Sequence, residues 1–254
     1  NTSHAVTYSY NLIYEGLANS VHRKGEHSKG TLVHDNATGI LLYGNIYASN
    51  RERNALFKGG VQAAMVNNLI FNPGLKAVHY NLVAHEWSGH EYLTGKVTLV
   101  GNVYRQGPDT KANTPLFALG GHGDVELYLK DNIAVDDVGQ AVAHTGVYTA
   151  SRARIVQADT AYLPPDIKIH VVHDLERSLP LVAGARPWQR DPIDFKLLSD
   201  VAEGRGLIID SEVENAMGYP LYAPTSRVFN PADWNLQDMS PKAGWASLAR
   251  AGVR

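Results

Sequence analysis

One pattern of apolar and polar positions recurs along the first half of the chain. Each copy is a short run of mostly apolar residues that ends in an asparagine, and two more apolar residues follow the asparagine. Alternating apolar positions are typical of β-strands with one face turned inward. The copies read VTYSYN-LI at 6–13, ILLYGN-IY at 40–47, AAMVNN-LI at 63–70, VTLVGN-VY at 97–104 and LYLKDN-IA at 127–134.

The spacing of the closing asparagines predicts stacked coils. They are Asn11, Asn45, Asn68, Asn102 and Asn132, separated by 34, 23, 34 and 30 residues. Repeats of this length with two or three short strands each indicate an all-β fold, a right-handed parallel β-helix. In such a stack a buried amide bonds to the same amide one coil above and one coil below, so we expect an asparagine ladder at one corner.

The pattern also divides the chain. Residues 1–140 contain the predicted β-helix rungs, and residues 141–254 contain the last rung or rungs and a C-terminal tail of the same domain. The tail includes DPIDFKLLSDVAEG at 191–204, in which Ile193, Leu197, Leu198 and Val201 fall on one side of a short amphipathic helix.

Composition narrows the classes of function. The chain has 254 residues and a net charge of −2, which argues against a general binder of nucleic acid. It has no cysteine, so disulfides, thiol catalysis and cysteine metal sites are excluded. The apolar runs are only a few residues long, so we expect no transmembrane helix and no membrane partner.

The positive charge is concentrated early in the chain. Between Gly16 and Gly60 there are six lysines and arginines against three acidic residues. If the coils stack, residues 22–29 and 51–58 come from adjacent turns and their cations share one groove. Such a groove suits a linear polyanion whose charges repeat along its length, such as a polyuronate. The alternative is that these are ordinary solvated loop charges.

Three segments in this region carry a family resemblance. HSKG at 27–30, NRERNALFKGG at 50–60 and VNNLIFNPG at 66–74 resemble, in order, motifs of the pectate lyases of polysaccharide lyase family one, bacterial branch. The resemblance continues through KVTLVGNVYRQGPDTK at 96–111, GARPWQRDPIDFKLLSDV at 184–201 and GLIIDSE at 206–212. It therefore covers most of the chain.

The resemblance implies roles for particular residues. Arg53 matches the catalytic arginine, the base that removes a proton from C5 of a uronide in a β-elimination. Lys29 matches the lysine that holds a substrate carboxylate, and Lys58 matches a second substrate-binding arginine. His27 belongs to the same His-x-Lys motif and is a further substrate-binding candidate. Arg51, two residues before Arg53, is a substrate-binding candidate and the substitute base.

The resemblance also implies a cofactor, a partner and a location. The family uses Ca²⁺, and its carboxylate ligands are expected largely outside this chain, because Glu15 and Asp35 are the only acidic residues near enough in sequence to help. Earlier rungs are expected on a missing segment or a second chain. The substrate is expected to be an acidic polysaccharide met outside the cytoplasm, in a secreted or periplasmic setting. An arginine base, with a reference pKa above 12, implies an alkaline optimum.

Two departures from the family pattern keep other functions open. Ala55 stands where the family has proline, and Lys58 replaces an arginine, which exchanges a planar fork of donors for a point charge. A non-catalytic glycan-binding β-helix would tolerate both changes. A β-helix glycoside hydrolase would need carboxylates to converge in the groove, where the sequence has cations.

The His85/His90 pair is one residue too widely spaced for a zinc-protease helix, so zinc is not predicted.

Overall fold

The computed structural model describes residues 2–20, 22–149, 152–211, 213–214, 230–237 and 240–242. The chain divides into two compact units, Asn1–Pro220 and Leu221–Arg254. The larger unit contains every copy of the asparagine pattern.

Short strands repeat in groups of three through the larger unit. In chain order they are β1 (His4–Ser9), β2 (Leu12–Tyr14), β3 (Leu32–Val33), β4 (Thr38–Tyr43), β5 (Ile46–Ala48), β6 (Leu56–Lys58), β7 (Gln62–Val66), β8 (Leu69–Phe71), β9 (Val78–Leu82), β10 (Gly95–Val100), β11 (Val103–Arg105), β12 (Phe117–Gly121), β13 (Val125–Lys130), β14 (Ile133–Val135), β15 (Thr145–Val147) and β16 (Ile155–Gln157). Successive strands join three different sheets in turn, so every third strand belongs to the same sheet.

The three sheets are parallel throughout. Sheet 1 has the order β1-β4-β7-β10-β13-β16, sheet 2 the order β2-β5-β8-β11-β14 and sheet 3 the order β3-β6-β9-β12-β15. Each strand therefore pairs with the equivalent strand of the next coil, as when Val6 pairs with Ile40 and Ile40 with Ala63. This mostly parallel architecture is consistent with the predicted parallel β-helix.

The predicted asparagine ladder is confirmed. Each Nδ2 donates to the Oδ1 of the next asparagine, over 2.9 Å from Asn11 to Asn45, 3.0 Å from Asn45 to Asn68, 3.0 Å from Asn68 to Asn102 and 2.9 Å from Asn102 to Asn132. The backbone N–H of each of these donors also reaches the same Oδ1. The ladder satisfies amide groups that would otherwise be costly to bury.

Alternate side chains of each strand point into and out of the stack. In sheet 2, Tyr47 and Tyr104 are fully buried in the main core, together with Phe57 and Tyr80 of sheet 3. Their neighbours on the opposite face of sheet 2, such as Ile46, pack in a second apolar cluster. That cluster is completed by residues of the C-terminal segment of the unit, among them Leu175, Leu179, Leu197 and Val201.

The C-terminal segment is partly helical. It contains α1 (Leu175–Ser178) and α2 (Pro192–Glu203), with short 3-10 helices at Val172–Asp174 and Leu179–Leu181. Another 3-10 helix, at Ala84–Trp87, lies outside this segment, between β9 and β10. The helix predicted within 191–204 is α2, which begins where the Asp191 side chain accepts from the Asp194 N–H at 2.8 Å. No helix among the described residues has the length and apolar character needed to cross a membrane.

The smaller unit is described over 230–237 and 240–242. It contains a 3-10 helix at Pro231–Asp233 and an antiparallel pair formed by β17 (Trp234–Asn235) and β18 (Ser240–Pro241).

Candidate functional site

Three stacked segments immediately before β3, β6 and β9 carry the candidate site. The middle segment, 51–54, is hydrogen-bonded to its neighbours on both sides. Thr31 N–H donates to the Arg53 carbonyl at 2.7 Å, and Asn54 N–H donates to the Ala77 carbonyl at 3.1 Å. A Cβ on Gly30 would lie 2.5 Å from the Arg53 carbonyl oxygen, so glycine is needed for this close approach. The stacking brings side chains of three coils together.

Arg53 is the centre of this arrangement. Its backbone has φ +67°, a left-handed conformation that non-glycine residues rarely adopt and that is enriched at functional sites. Its side chain is half-buried and makes no ion pair with any described residue, and its Nε is buried without a hydrogen-bond partner in the described part of the chain. Buried donors are usually paired, so this guanidinium has capacity for an anionic ligand.

Glu52 bridges two lysines beside Arg53. One carboxylate oxygen accepts from the Lys29 ammonium and the other from the Lys76 ammonium. Burial alone would raise the pKa of Glu52, but the bonds from Lys29 and Lys76 outweigh burial and lower it to about 2. Glu52 is therefore an anion at any physiological pH. Together with Arg53, the Lys29–Glu52–Lys76 cluster has an excess of two positive charges.

His79 and Tyr148 lie next to this cluster. The His79 side chain is buried, its ring centroid is 5.7 Å from that of Tyr148, and its Nδ1 has no hydrogen-bond partner among the described residues. Burial is the main reason that the pKa of His79 falls to about 3; Lys76 and Arg53 lower it further and Glu52 opposes them. Burial and the Glu52 charge raise the pKa of Tyr148. The Lys76 ammonium lies 5.0 Å from the Tyr148 ring centroid, within reach of a cation–π contact.

His27 lies at the edge of the same region. Its ring stacks on His22, with the centroids 3.8 Å apart and the planes 4° from parallel. Desolvation lowers the pKa of His27, and the charges of His22, Lys29 and Arg53 act in the same direction. The predicted residues His27, Lys29 and Arg53 are therefore close together.

Arg51 and Lys58 have other surroundings. Arg51 forms an ion pair with Glu26 and lines a separate cavity of about 330 Å³ with Asp109 and Lys111. Lys58 is buried on β6, and its ammonium bonds to Glu86. Within the described part of the chain, neither side chain bonds to the Lys29–Glu52–Lys76 cluster, and their roles in substrate binding stay predictions.

The acidic residues of the described chain do not fit a Ca²⁺ site at Arg53. Both oxygens of Glu52 are bonded to lysines. Burial raises the pKa of Glu15, whose nearest cation, Lys196, is 3.8 Å away on α2. Asp35 accepts from Trp87 Nε1 at 2.7 Å. Calcium therefore stays a prediction that depends on ligands from outside the described chain.

A second group of ionisable residues surrounds Asp35. His34, Asp35 and Glu86 place their ligand atoms within 4.8 Å of one another. An imidazole in the set is unsuited to Ca²⁺, which prefers oxygen ligands. The Lys58 ammonium on Glu86 already supplies a positive charge there.

Sequence reasoning missed Glu52, Lys76, His79 and Tyr148. A signal for two of them was present in the shortest repeat, the 23 residues from Asn45 to Asn68. Glu52 follows Lys29 by 23 residues, and Lys76 follows Arg53 by the same number. Applying that period to every charged residue would have aligned them on adjacent coils.

Comparisons with known proteins do not assign the chain to a family, so the function is argued from the residues of the site. No model of a known protein family matches the chain, and no curated protein is significantly similar to it.

Proposed function

We propose that this chain is a polysaccharide lyase that cleaves a pectate-like polyuronate by β-elimination, on a right-handed parallel β-helix with a C-terminal tail, in a secreted or periplasmic setting. The observation that carries the proposal is Arg53, whose guanidinium has no ion pair within the described residues and which directly follows Glu52, the residue that binds lysines of both adjacent coils. The pectate-lyase resemblance of 27–30 and 50–60 supports the same assignment.

The chemistry needs a base and a cationic environment. The proton on C5 of a uronide lies next to a carboxylate, whose negative charge makes a neighbouring carbanion unfavourable. Cations on the carboxylate stabilise the charge that develops as the proton leaves. Lys29 and Lys76 have this role in the proposal. The neutral guanidine form of Arg53, which has lost its own proton to solvent, accepts the C5 proton and becomes a guanidinium. The C5–H electron pair then forms the C4–C5 double bond, the C4–O bond breaks, and the departing oxygen takes a proton from water.

The same residues argue against hydrolysis. Inverting and retaining glycosidases use two carboxyl groups, one of which is protonated when it acts as an acid. Glu52 is the carboxylate that the structure brings to Arg53, and two lysine bonds hold its pKa near 2. It is therefore a poor proton donor. A non-catalytic glycan-binding protein would share the cationic cluster but would not need Arg53 to be well placed as a base.

One experiment separates the lyase from the binding protein. The chain is incubated with polygalacturonate, and absorbance from unsaturated uronide is followed. We expect product from the parent and nearly none from Arg53→Lys, because a shorter side chain with one nitrogen misplaces the proton acceptor, and a misplacement of about 1 Å can cost about 10²-fold. Oligogalacturonate binding should persist in Arg53→Lys, since the charge is kept.

Lys96→Met is the matched control. Lys96 lies on sheet 1, where its ammonium is 3.4 Å from Glu126. This control should keep full turnover. Absence of unsaturated product from the parent would favour glycan binding without catalysis. Normal turnover in Arg53→Lys would reject Arg53 as the base.

A further inference from the structure

The surroundings of the Glu52 carboxylate are those that a ligand carboxylate would need. One ammonium group binds each oxygen, and the two lysines come from the coils on either side of Glu52. The side chains of Lys29 and Lys76 are each 18% exposed and that of Glu52 is 14% exposed. The carboxylate is therefore bound at both oxygens by side chains that are only partly exposed.

Two unpaired nitrogen atoms lie beside this arrangement. Arg53 Nε and the Nδ1 of the buried His79 are both without a hydrogen-bond partner in the described part of the chain. Unpaired buried polar atoms are uncommon in native proteins, and those that occur call for an explanation. Both atoms are shielded from solvent, so a ligand at Lys29 and Lys76 would reach them only after the side chains that cover them move.

We propose that Lys29 and Lys76 form a carboxylate-binding site that Glu52 fills in the free protein and that the carboxylate of a uronide fills when substrate binds. Glu52 is then an internal competitor, and Lys76 is a specificity-determining residue that selects acidic over neutral sugars. The identity of the ligand as a uronide rests on the proposed function; the carboxylate site itself does not.

Charge supports an exchange of one carboxylate for another. Lys29 and Lys76 are only partly solvated, and leaving both without an anion would be unfavourable because like charges repel at low effective dielectric. Replacing Glu52 by a ligand carboxylate keeps the site neutralised to the same extent. An anion is therefore required at the site, but it need not be Glu52.

Binding of trigalacturonate tests the proposal, measured by calorimetry at neutral pH in the presence of a chelator. Glu52→Ala removes the internal competitor and should bind about tenfold tighter than the parent, because a tethered competitor acts at an effective concentration that reaches the millimolar range. Lys76→Met should bind about tenfold more weakly, the factor that 1.4 kcal/mol of lost charge–charge attraction represents. The neutral galactose trimer should bind equally weakly to all variants.

Glu126→Gln is the matched control. It also removes a carboxylate from a lysine partner, Lys96, but at an exposed pair on sheet 1. Its affinity should equal that of the parent. Unchanged or weaker binding in Glu52→Ala, or unchanged binding in Lys76→Met, would overturn the proposal. Lys76→Met keeps the neutral Lys29–Glu52 pair, so it tests the site even if Glu52→Ala folds poorly.

A second measurement separates this inference from the lyase assignment. Acetate should raise the melting temperature of Glu52→Ala by occupying the vacated position, and acetamide should not. The double variant Glu52→Ala/Lys76→Met should gain nothing from acetate. Rescue by acetate without binding of trigalacturonate would uphold the carboxylate site and reject the uronide. Equal effects of acetate and acetamide would reject the site.

Discussion

Replacing Asn68 with leucine tests the asparagine ladder at its most buried position. Asn68 is fully buried; its Nδ2 donates to the Leu42 carbonyl at 2.9 Å and to Asn102 Oδ1, while its Oδ1 accepts from the N–H and the Nδ2 of Asn45. Leucine is similar in size but can neither donate nor accept. The substitution therefore removes these bonds without opening a large cavity.

The bonds that remain set the size of the effect. The Asn45 Nδ2 keeps a bond to the Tyr8 carbonyl at 2.9 Å, and Asn102 Oδ1 keeps the Asn68 backbone N–H. The Asn45 backbone N–H has no substitute for Asn68 Oδ1 and becomes a buried donor without a partner. Such an orphan costs about 1–3 kcal/mol, and loss of the Leu42 bond adds about 1 kcal/mol. We expect Asn68→Leu to lower the free energy of unfolding by about 2–4 kcal/mol, a large part of the ~5–15 kcal/mol typical of a domain.

Asn11→Leu is the control at the end of the same ladder. Asn11 is half-buried and acts there as a donor to Asn45 Oδ1, which its backbone N–H also reaches. No buried donor is orphaned, so the loss should stay below about 1 kcal/mol. Urea unfolding followed by far-UV circular dichroism measures both variants. Equal losses for Asn11→Leu and Asn68→Leu would refute the argument that satisfaction of buried amides determines the cost.

Two further predictions concern His79 and Lys58. Because the folded chain lowers the pKa of His79 from 6.5 to about 3, the unfolded chain takes up a proton first as the pH falls, and stability should decrease from about pH 6.5 towards pH 3 by up to about 1.4 kcal/mol per pH unit. His79→Gln should reduce the difference between urea midpoints at pH 7 and pH 5; an unchanged difference would exclude His79 as its source. Lys58→Met should leave trigalacturonate affinity close to that of the parent, because the Lys58 ammonium is bonded to Glu86 and its side chain is 7% exposed, whereas Lys29→Met should weaken it. Equal weakening by the two substitutions, measured by calorimetry, would restore Lys58 to the substrate site.

The scaffold was predictable because its signal is local and repeated. Each strand that ends in an asparagine carries its own alternation, and five copies make the period visible in a single sequence. The ladder followed from the chemistry of one amide above another. The helix α2 was likewise indicated by apolar spacing within 191–204.

The site was only partly predictable because it depends on register between coils. Lys29 and Arg53 stood out through the motif that contains them, but a motif does not say which side chain of the next coil faces it. Glu52 was treated only as one of the acidic residues of the region until pairing placed it opposite Lys29. Lys58 is predicted as a substrate-binding residue because it lies in the same motif as Arg53, yet its partner, Glu86, is 28 residues away in the 3-10 helix after β9. Partners of this kind lie in insertions between strands, and the varying length of the insertions hides the repeat period of the coils.

The coil from Asn45 to Asn68 contains no long insertion, so its length gives the sequence offset between equivalent positions of adjacent coils. Positions 23 or 24 residues apart along this part of the chain occupy equivalent places on adjacent strands, which in any sheet are about 4.8 Å apart. The backbone there is held by its own hydrogen bonds to the coils above and below, so it does not depend on which side chains stand at 29, 52 or 76. The backbone scaffold is therefore independent of the charged side chains that it carries at these positions. A different charge pattern could be placed on the same three coils by exchanging side chains alone.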